Sequence, residues 1–156
     1  MSIAIRENLG DFSSIVCFKS IITGMEDALG EKATAISLIA AGRSRGKALA
    51  TSLGLAGSNL PISEIAAKLD AAVGQNGTRL TAINKAEQDG DIIRVYCSET
   101  VCSAGEEMGS SRKCTFTLGA VWGALEAVTG GRLQGSQTES VLRGGAYDVF
   151  EFKALG

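Results

Sequence analysis

The sequence predicts an α+β fold, a mostly antiparallel sheet of about four strands with helices packed on one face. Three observations lead there. The first half carries apolar residues at helical spacing, the second half carries two pairs of strand-like runs, and one more helical stretch lies between those pairs. Helices, hairpin, helix, hairpin is an order that layer packing resolves as one sheet with helices laid against it. The 156 residues have the size of one domain, spanning 1–156. A chain this long buries roughly 70% of its unfolded surface, so it needs no metal or disulfide to fold.

In residues 8–29, Leu9, Phe12, Ile15, Val16, Phe18, Ile22, Met25 and Leu29 recur mostly every three or four positions, an apolar helix stripe. Asp11 is the expected N-cap and Gly30 the stop. Residues 32–53 form a second helical segment, rich in Ala, Leu and Ile, that carries a Gly42-Arg43-Ser44-Arg45-Gly46-Lys47 insert. Gly54, Gly57, Ser58 and Asn59 break the pattern. Pro61 then opens a third helix with Ile62, Ile65, Ala66, Leu69, Ala72 and Val73 on its apolar face, ended by Gly74-Gln75-Asn76-Gly77. Residues 79–87 and 91–98 flank a Gln88-Asp89-Gly90 turn signal, and Ile92, Ile93, Val95 and Tyr96 favour a strand. A polar loop over 99–113 follows. A loop of that length is often functional, as a lid or as a partner-binding segment. The next helix, 117–129, places Leu118, Val121, Trp122, Leu125 and Val128 on one side and stops at Gly130-Gly131. A last hairpin pairs 133–142 with 147–154 through Arg143-Gly144-Gly145-Ala146.

Composition narrows the function. Net charge is −2, the isoelectric point is near 5.2, and no basic face stands out, so nucleic acid is not an expected partner. The longest apolar stretch, 33–41, is far too short to cross a membrane. Met1-Ser2-Ile3, with Arg6 and Glu7 close behind, lacks the layout of a signal peptide, which favours a cytoplasmic reading. The four cysteines, at 17, 97, 102 and 114, have no CxxC spacing, and in that compartment they are expected to be free thiols. The chain has no histidine. That removes Ser-His-Asp and Cys-His catalysis and the mixed Cys/His zinc sites, and with them the usual hydrolytic enzymes. No strand-linked GxGxxG fingerprint for a nicotinamide cofactor is present.

The second half resembles the 4-vinyl reductase domain family, also called hydrocarbon-binding proteins. Cys114-Thr115-Phe116-Thr117-Leu118-Gly119-Ala120-Val121-Trp122-Gly123 looks like the family's C-x-F-x-x-G-x-x-x-G stretch. Gly42-Arg43-Ser44-Arg45-Gly46 is similar to its upstream G-x-x-x-G segment, and Glu139 with Phe150-Glu151-Phe152 looks like its closing hairpin. The resemblance implies kinship with haem–nitric-oxide sensors and with a lipid-binding vesicle-transport subunit, and so an apolar cavity between helices and sheet. It further implies a tetrapyrrole such as a bilin as ligand, a place in photosystem II assembly, and a location in the cytoplasm or peripheral at the thylakoid membrane. Leu142 and Phe150 stand where many members carry cysteines, so no metal is expected. Vinyl reduction, which the family name suggests, has no support in the residues.

The ligand-binding candidates are Cys114, Phe116, Leu118, Trp122, Arg43 and Arg45. Cys114 follows Arg112-Lys113 at an expected helix start, which favours a thiolate that could attach a tetrapyrrole, or a buried cap residue. Gly119 and Gly123 either make room for a flat ligand against Trp122 or let the helix approach another element closely. Arg43 and Arg45 either hold carboxylates or are solvated on a helix turn. The leading reading is a small-molecule-binding accessory protein acting as a homodimer. The alternative is a structural interaction protein without a ligand.

Overall fold

The structure, a computed structural model, describes residues 6–10 and 14–156. Asp11, the expected cap, lies outside the described residues together with Phe12. The first helix, α1, runs over Ile15–Leu29 and is capped by Ser14, whose Oγ accepts from the Val16 N–H at 3.1 Å. Gly30 ends it at φ 86°, a left-handed backbone that suits glycine. The expected apolar stripe is only half used. Ile22 is buried and Phe18 and Met25 pack beside it, whereas Leu9, Val16 and Leu29 face solvent.

The second helix, α2, is continuous over Glu31–Ser52, so the Gly-Arg-Ser-Arg-Gly-Lys stretch is no insert. It lies inside the helix, with Gly42 and Gly46 buried. α3 covers Ile62–Val73, with Pro61 before it as the sequence predicts. α4, Phe116–Thr129, is buried along most of its length and ends at Gly130 in the left-handed region.

The four strands are β1 (Ala82–Asp89), β2 (Ile92–Ser98), β3 (Leu133–Glu139) and β4 (Asp148–Ala154). They form one sheet in the order β1-β2-β4-β3, and every neighbouring pair is antiparallel. The expected α+β architecture is therefore present. Cross-strand pairs set its inner face. Ile93 stands opposite Phe152 and Val95 opposite Phe150, while Ala86 and Gln88 of β1 extend the same rows. Phe150 and Phe152 have no solvent exposure at all. The other face is polar, with Arg94 paired to Glu151 at 2.9 Å and Lys85 to Glu87 at 3.1 Å. Alternation along each strand therefore sends the helices to one side.

Two strand boundaries differ from the sequence reading by three residues, each for a local reason. β1 begins at Ala82 rather than Arg79, which has φ 58° and cannot extend a strand. β3 stops at Glu139, and Val141–Arg143 turn as a 3₁₀ helix whose start is capped by Ser140, its Oγ accepting from the Leu142 N–H.

α4 and α2 carry the architecture. A Cβ placed on Gly42 would lie 2.8 Å from the Ala120 nitrogen, and one on Gly46 would lie 2.7 Å from the Ala120 carbonyl carbon. On the other helix, a Cβ on Gly119 would lie 3.0 Å from the Ile39 carbonyl carbon, and one on Gly123 would lie 2.7 Å from that of Arg43. Residue numbers rise together along both helices, so the two run in the same direction in backbone contact. Each interior glycine costs a helix roughly 1 kcal/mol. Close backbone packing, through the dispersion contacts it allows, offsets that cost. Gly119 and Gly123 thus serve close approach to another helix, the second of the two roles the sequence allows them.

Candidate functional site

An apolar groove of about 440 Å³ lies between the start of α1, the second half of α2, the end of α3 and the start of α4. Its apolar lining is Ile15, Phe18, Leu49, Val73, Leu80, Phe116 and Ala120. Phe18 and Phe116 meet edge to face, with ring centroids 5.3 Å apart. Arg45 and Arg79 stand among these walls. Beneath lies a small apolar void of about 20 Å³, which shares Leu49, Val73, Leu80 and Ala120 and continues to Leu69, Ile83 and Val121. The opening therefore leads from the surface toward the junction of helices and β1.

Of the six candidate ligand-binding residues, Phe116 and Arg45 line this groove. The other four lie elsewhere. Leu118 is buried in the main core. Trp122 packs between α4 and the sheet, its indole N–H donating to the Leu133 carbonyl at 3.0 Å and its ring 6.3 Å from that of Phe152. Arg43 lies over the Trp122 ring at 4.5 Å and pairs with Glu126 at 2.6 Å, so its charge is already engaged. Sequence reasoning missed Phe18, Leu49, Val73 and Leu80 as lining, because they come from three separate helices and the segment after α3. The available signals were that Phe18 belongs to the apolar stripe of α1 and Val73 to the apolar face of α3.

Cys114 corrects a further expectation. It is buried and disulfide-bonded to Cys102, so only Cys17 and Cys97 are free. Free thiols followed from the compartment and from irregular spacing, and neither reveals that the 99–115 segment folds back on itself. Around this disulfide is a compact polar cluster. The buried Thr100 hydroxyl donates to Asp148 Oδ2 at 2.7 Å, and its oxygen lies 3.0 Å from Cys102 Sγ. Asp148, the first residue of β4, also accepts from the Val141 N–H at 3.1 Å and from Gln137 Nε2 at 3.4 Å. The Cys114 N–H in turn donates to Gln137 Oε1 at 2.8 Å.

The 99–113 segment is anchored as well as cross-linked. Lys19 of α1 donates to the carbonyls of Cys102 and Ala104, both at 2.9 Å, and pairs with Glu106 at 3.1 Å. Arg112 bridges Glu106 and Glu26. The Arg112 hydrogen bond, and then that of Lys19, hold the Glu106 carboxyl below its ordinary value. An open cavity of about 500 Å³, lined by Lys32, Thr34, Ser110, Arg112 and Lys113 among others, lies beside this clamp.

Comparison with known proteins places the fold. No family model matches the chain, and no curated protein matches it in sequence. Solved structures do match. The phenol-responsive sensory domain of the transcription activator PoxR, determined with phenol, superposes with a TM-score of 0.68 at 12% identity, covering 91% of this chain and 75% of that one. A trafficking protein particle complex subunit 3 from Naegleria fowleri, covalently bound to palmitic acid, gives a TM-score of 0.57 at 14% identity, covering 91% and 93%. The chain shares their fold. No helix among the described residues is long and apolar enough to cross a membrane.

Proposed function

We propose that this protein binds a small, largely apolar molecule carrying an acidic group, in the groove between α1, α2, α3 and α4. One observation carries this reading: an opening of about 440 Å³ with two aromatic rings and aliphatic walls has Arg45 on its lining. Ligand sites commonly combine such a volume with an apolar lining and a few polar groups that orient the ligand. Support also comes from the fold, since both structural neighbours were solved with small apolar molecules. A tetrapyrrole such as a bilin, the ligand implied by the family resemblance, has the same chemistry. An accessory role in photosystem II assembly, peripheral to the thylakoid membrane, would go with it.

The test is titration of the purified protein with a long-chain fatty acid, a simple phenol and a bilin. Saturable binding of at least one is the expected result. Phe116→Ala should weaken it roughly threefold to tenfold, the value of one aromatic contact. Arg45→Gln should weaken acidic ligands and leave neutral ones unchanged. If none of the three binds, the groove reading fails.

A second reading, an interaction protein acting as a homodimer, is favoured by the exposed apolar side chains of α1 and α2. Val16, Ile21, Leu29 and Ile36 are 57–69% exposed. Exposed apolar patches mark interaction sites, and twofold dimers are the commonest oligomers. Light scattering at micromolar concentration that returns a monomer mass would remove it.

A further inference from the structure

One loop and the start of a distant strand deliver two sulfur atoms and a carboxylate to one buried point. Cys102 comes from the segment after β2, Cys114 from just before α4, and Asp148 from the start of β4. Their ligand atoms all lie within 4.8 Å of one another, and all three residues are buried. A tetrahedral zinc shell, with Zn–S about 2.3 Å and Zn–O about 2.0 Å, needs donors gathered on about this scale. We propose that in its reduced state this protein binds one soft divalent cation, zinc by preference, through the Cys102 and Cys114 thiolates and the Asp148 carboxylate, and that the disulfide is the metal-free alternative of the same site.

The electrostatics support this assignment. Asp148 is 1% exposed, and its hydrogen-bond donors (Thr100, Gln137 and Val141) are all neutral. Burying a carboxylate is costly unless it is paired or holds a metal. A dication would offset two of the three negative charges that the thiolates and the carboxylate bring together, leaving a single one for the Thr100, Gln137 and Val141 donors to stabilise. Two sulfurs with one oxygen is a donor set that suits zinc and disfavours magnesium or calcium. The fourth position is open to water or to the Thr100 hydroxyl, which already touches Asp148 and Cys102.

The exchange balances. A dithiol reductant gives up two electrons and two protons and becomes a cyclic disulfide, while the Cys102–Cys114 bond takes them up and becomes two thiols. Zinc then displaces the two thiol protons and forms two Zn–S bonds, and the carboxylate adds as third ligand. The proposal is independent of the groove reading, because none of these three residues lines the groove.

Cobalt(II) titration tests it, since thiolate-to-cobalt charge transfer reports sulfur ligation directly. The protein carries Cys17→Ser, because Cys17 is an exposed thiol. It is reduced with dithiothreitol and freed of reductant without air. One cobalt per chain should bind with a charge-transfer band and be displaced by one zinc, whereas the unreduced protein should show no band. Asp148→Asn should lower the affinity at least tenfold, and Cys97→Ser should leave it unchanged. The oxidised and reduced forms of one sequence are compared first, so the test survives even if a variant fails to fold. A reduced protein with no charge-transfer band would overturn the proposal, as would equal affinity in a folded Asp148→Asn protein.

Discussion

Gly46 and Ala120 meet backbone to backbone, with no room for even a methyl group between them: a Cβ on Gly46 would lie 2.7 Å from the Ala120 carbonyl carbon and 2.8 Å from the Ala124 nitrogen. Backbone cannot yield as a flexible side chain can. Gly46→Ala should therefore cost roughly 3 kcal/mol, the upper end of ordinary overpacking. Gly24, inside α1, has nothing within 4 Å of a built Cβ. Gly24→Ala should stabilise by about 0.5–1 kcal/mol through helix propensity. Urea melts of the pair check both signs.

Trp122 belongs to the core rather than to the groove. Trp122→Ala removes a hydrogen bond, a ring contact with Phe152 and the platform under Arg43. A loss of about 3 kcal/mol is expected, with ligand affinity unchanged in the fraction that remains folded. Denaturant melts paired with ligand titration separate the two effects. A large loss of affinity with little loss of stability would place a ligand against the indole.

The Cys102–Cys114 bond predicts an intact mass two hydrogens below that of the reduced protein. Reduction in the absence of metal should lower stability by about 3 kcal/mol, given the short loop that is closed. Unchanged mass on reduction would show that the bond is not formed.

Cys97 gives a pH dependence with a definite sign. Burial, only partly opposed by a hydrogen bond to Thr81, pushes its thiol from 9.0 up to about 12. The folded state therefore holds a proton that the unfolded chain releases near pH 9. This contribution is fully present below that pH and is lost as pH rises toward 12, amounting to at most about 4 kcal/mol. Urea melts at neutral and alkaline pH should show the decline. At neutral pH, iodoacetamide should label the exposed Cys17 and leave Cys97 intact until the protein unfolds.

What the sequence revealed follows from how local each signal is. Gly30 and Pro61 mark their helix boundaries, because stops and starts are set by the backbone of single residues. The first hairpin is legible from Asp89-Gly90, and Gly90 does turn at φ 63°, although the pairing of Asp89 with Ile92 centres the turn on Gly90 and Asp91. The Gly42–Gly46 stretch reads as an interruption because its glycines match Gly119 and Gly123, more than seventy positions away. The position of Asp148 beside Cys102 and Cys114 depends on the same kind of distant meeting. Phe116 and Arg45 were legible at the groove, but Phe18 and Leu80 needed the packing of α1 and of the segment after α3.

The glycine contact between α2 and α4 also fixes where the molecule can be compliant. Two helices joined through bare backbone have no side chains between them to repack, so sliding or rotating one past the other meets a hard wall at Ile39, Arg43 and Ala120. They move as one stiff strut. α1 is held differently, by Phe18, Ile22 and Met25 and by long flexible cations such as Lys19. The groove thus has one unyielding wall and one elastic wall. Ligands of different thickness would be accommodated by displacing α1, and the Lys19 and Arg112 bridges would carry that displacement to the segment that holds Cys102.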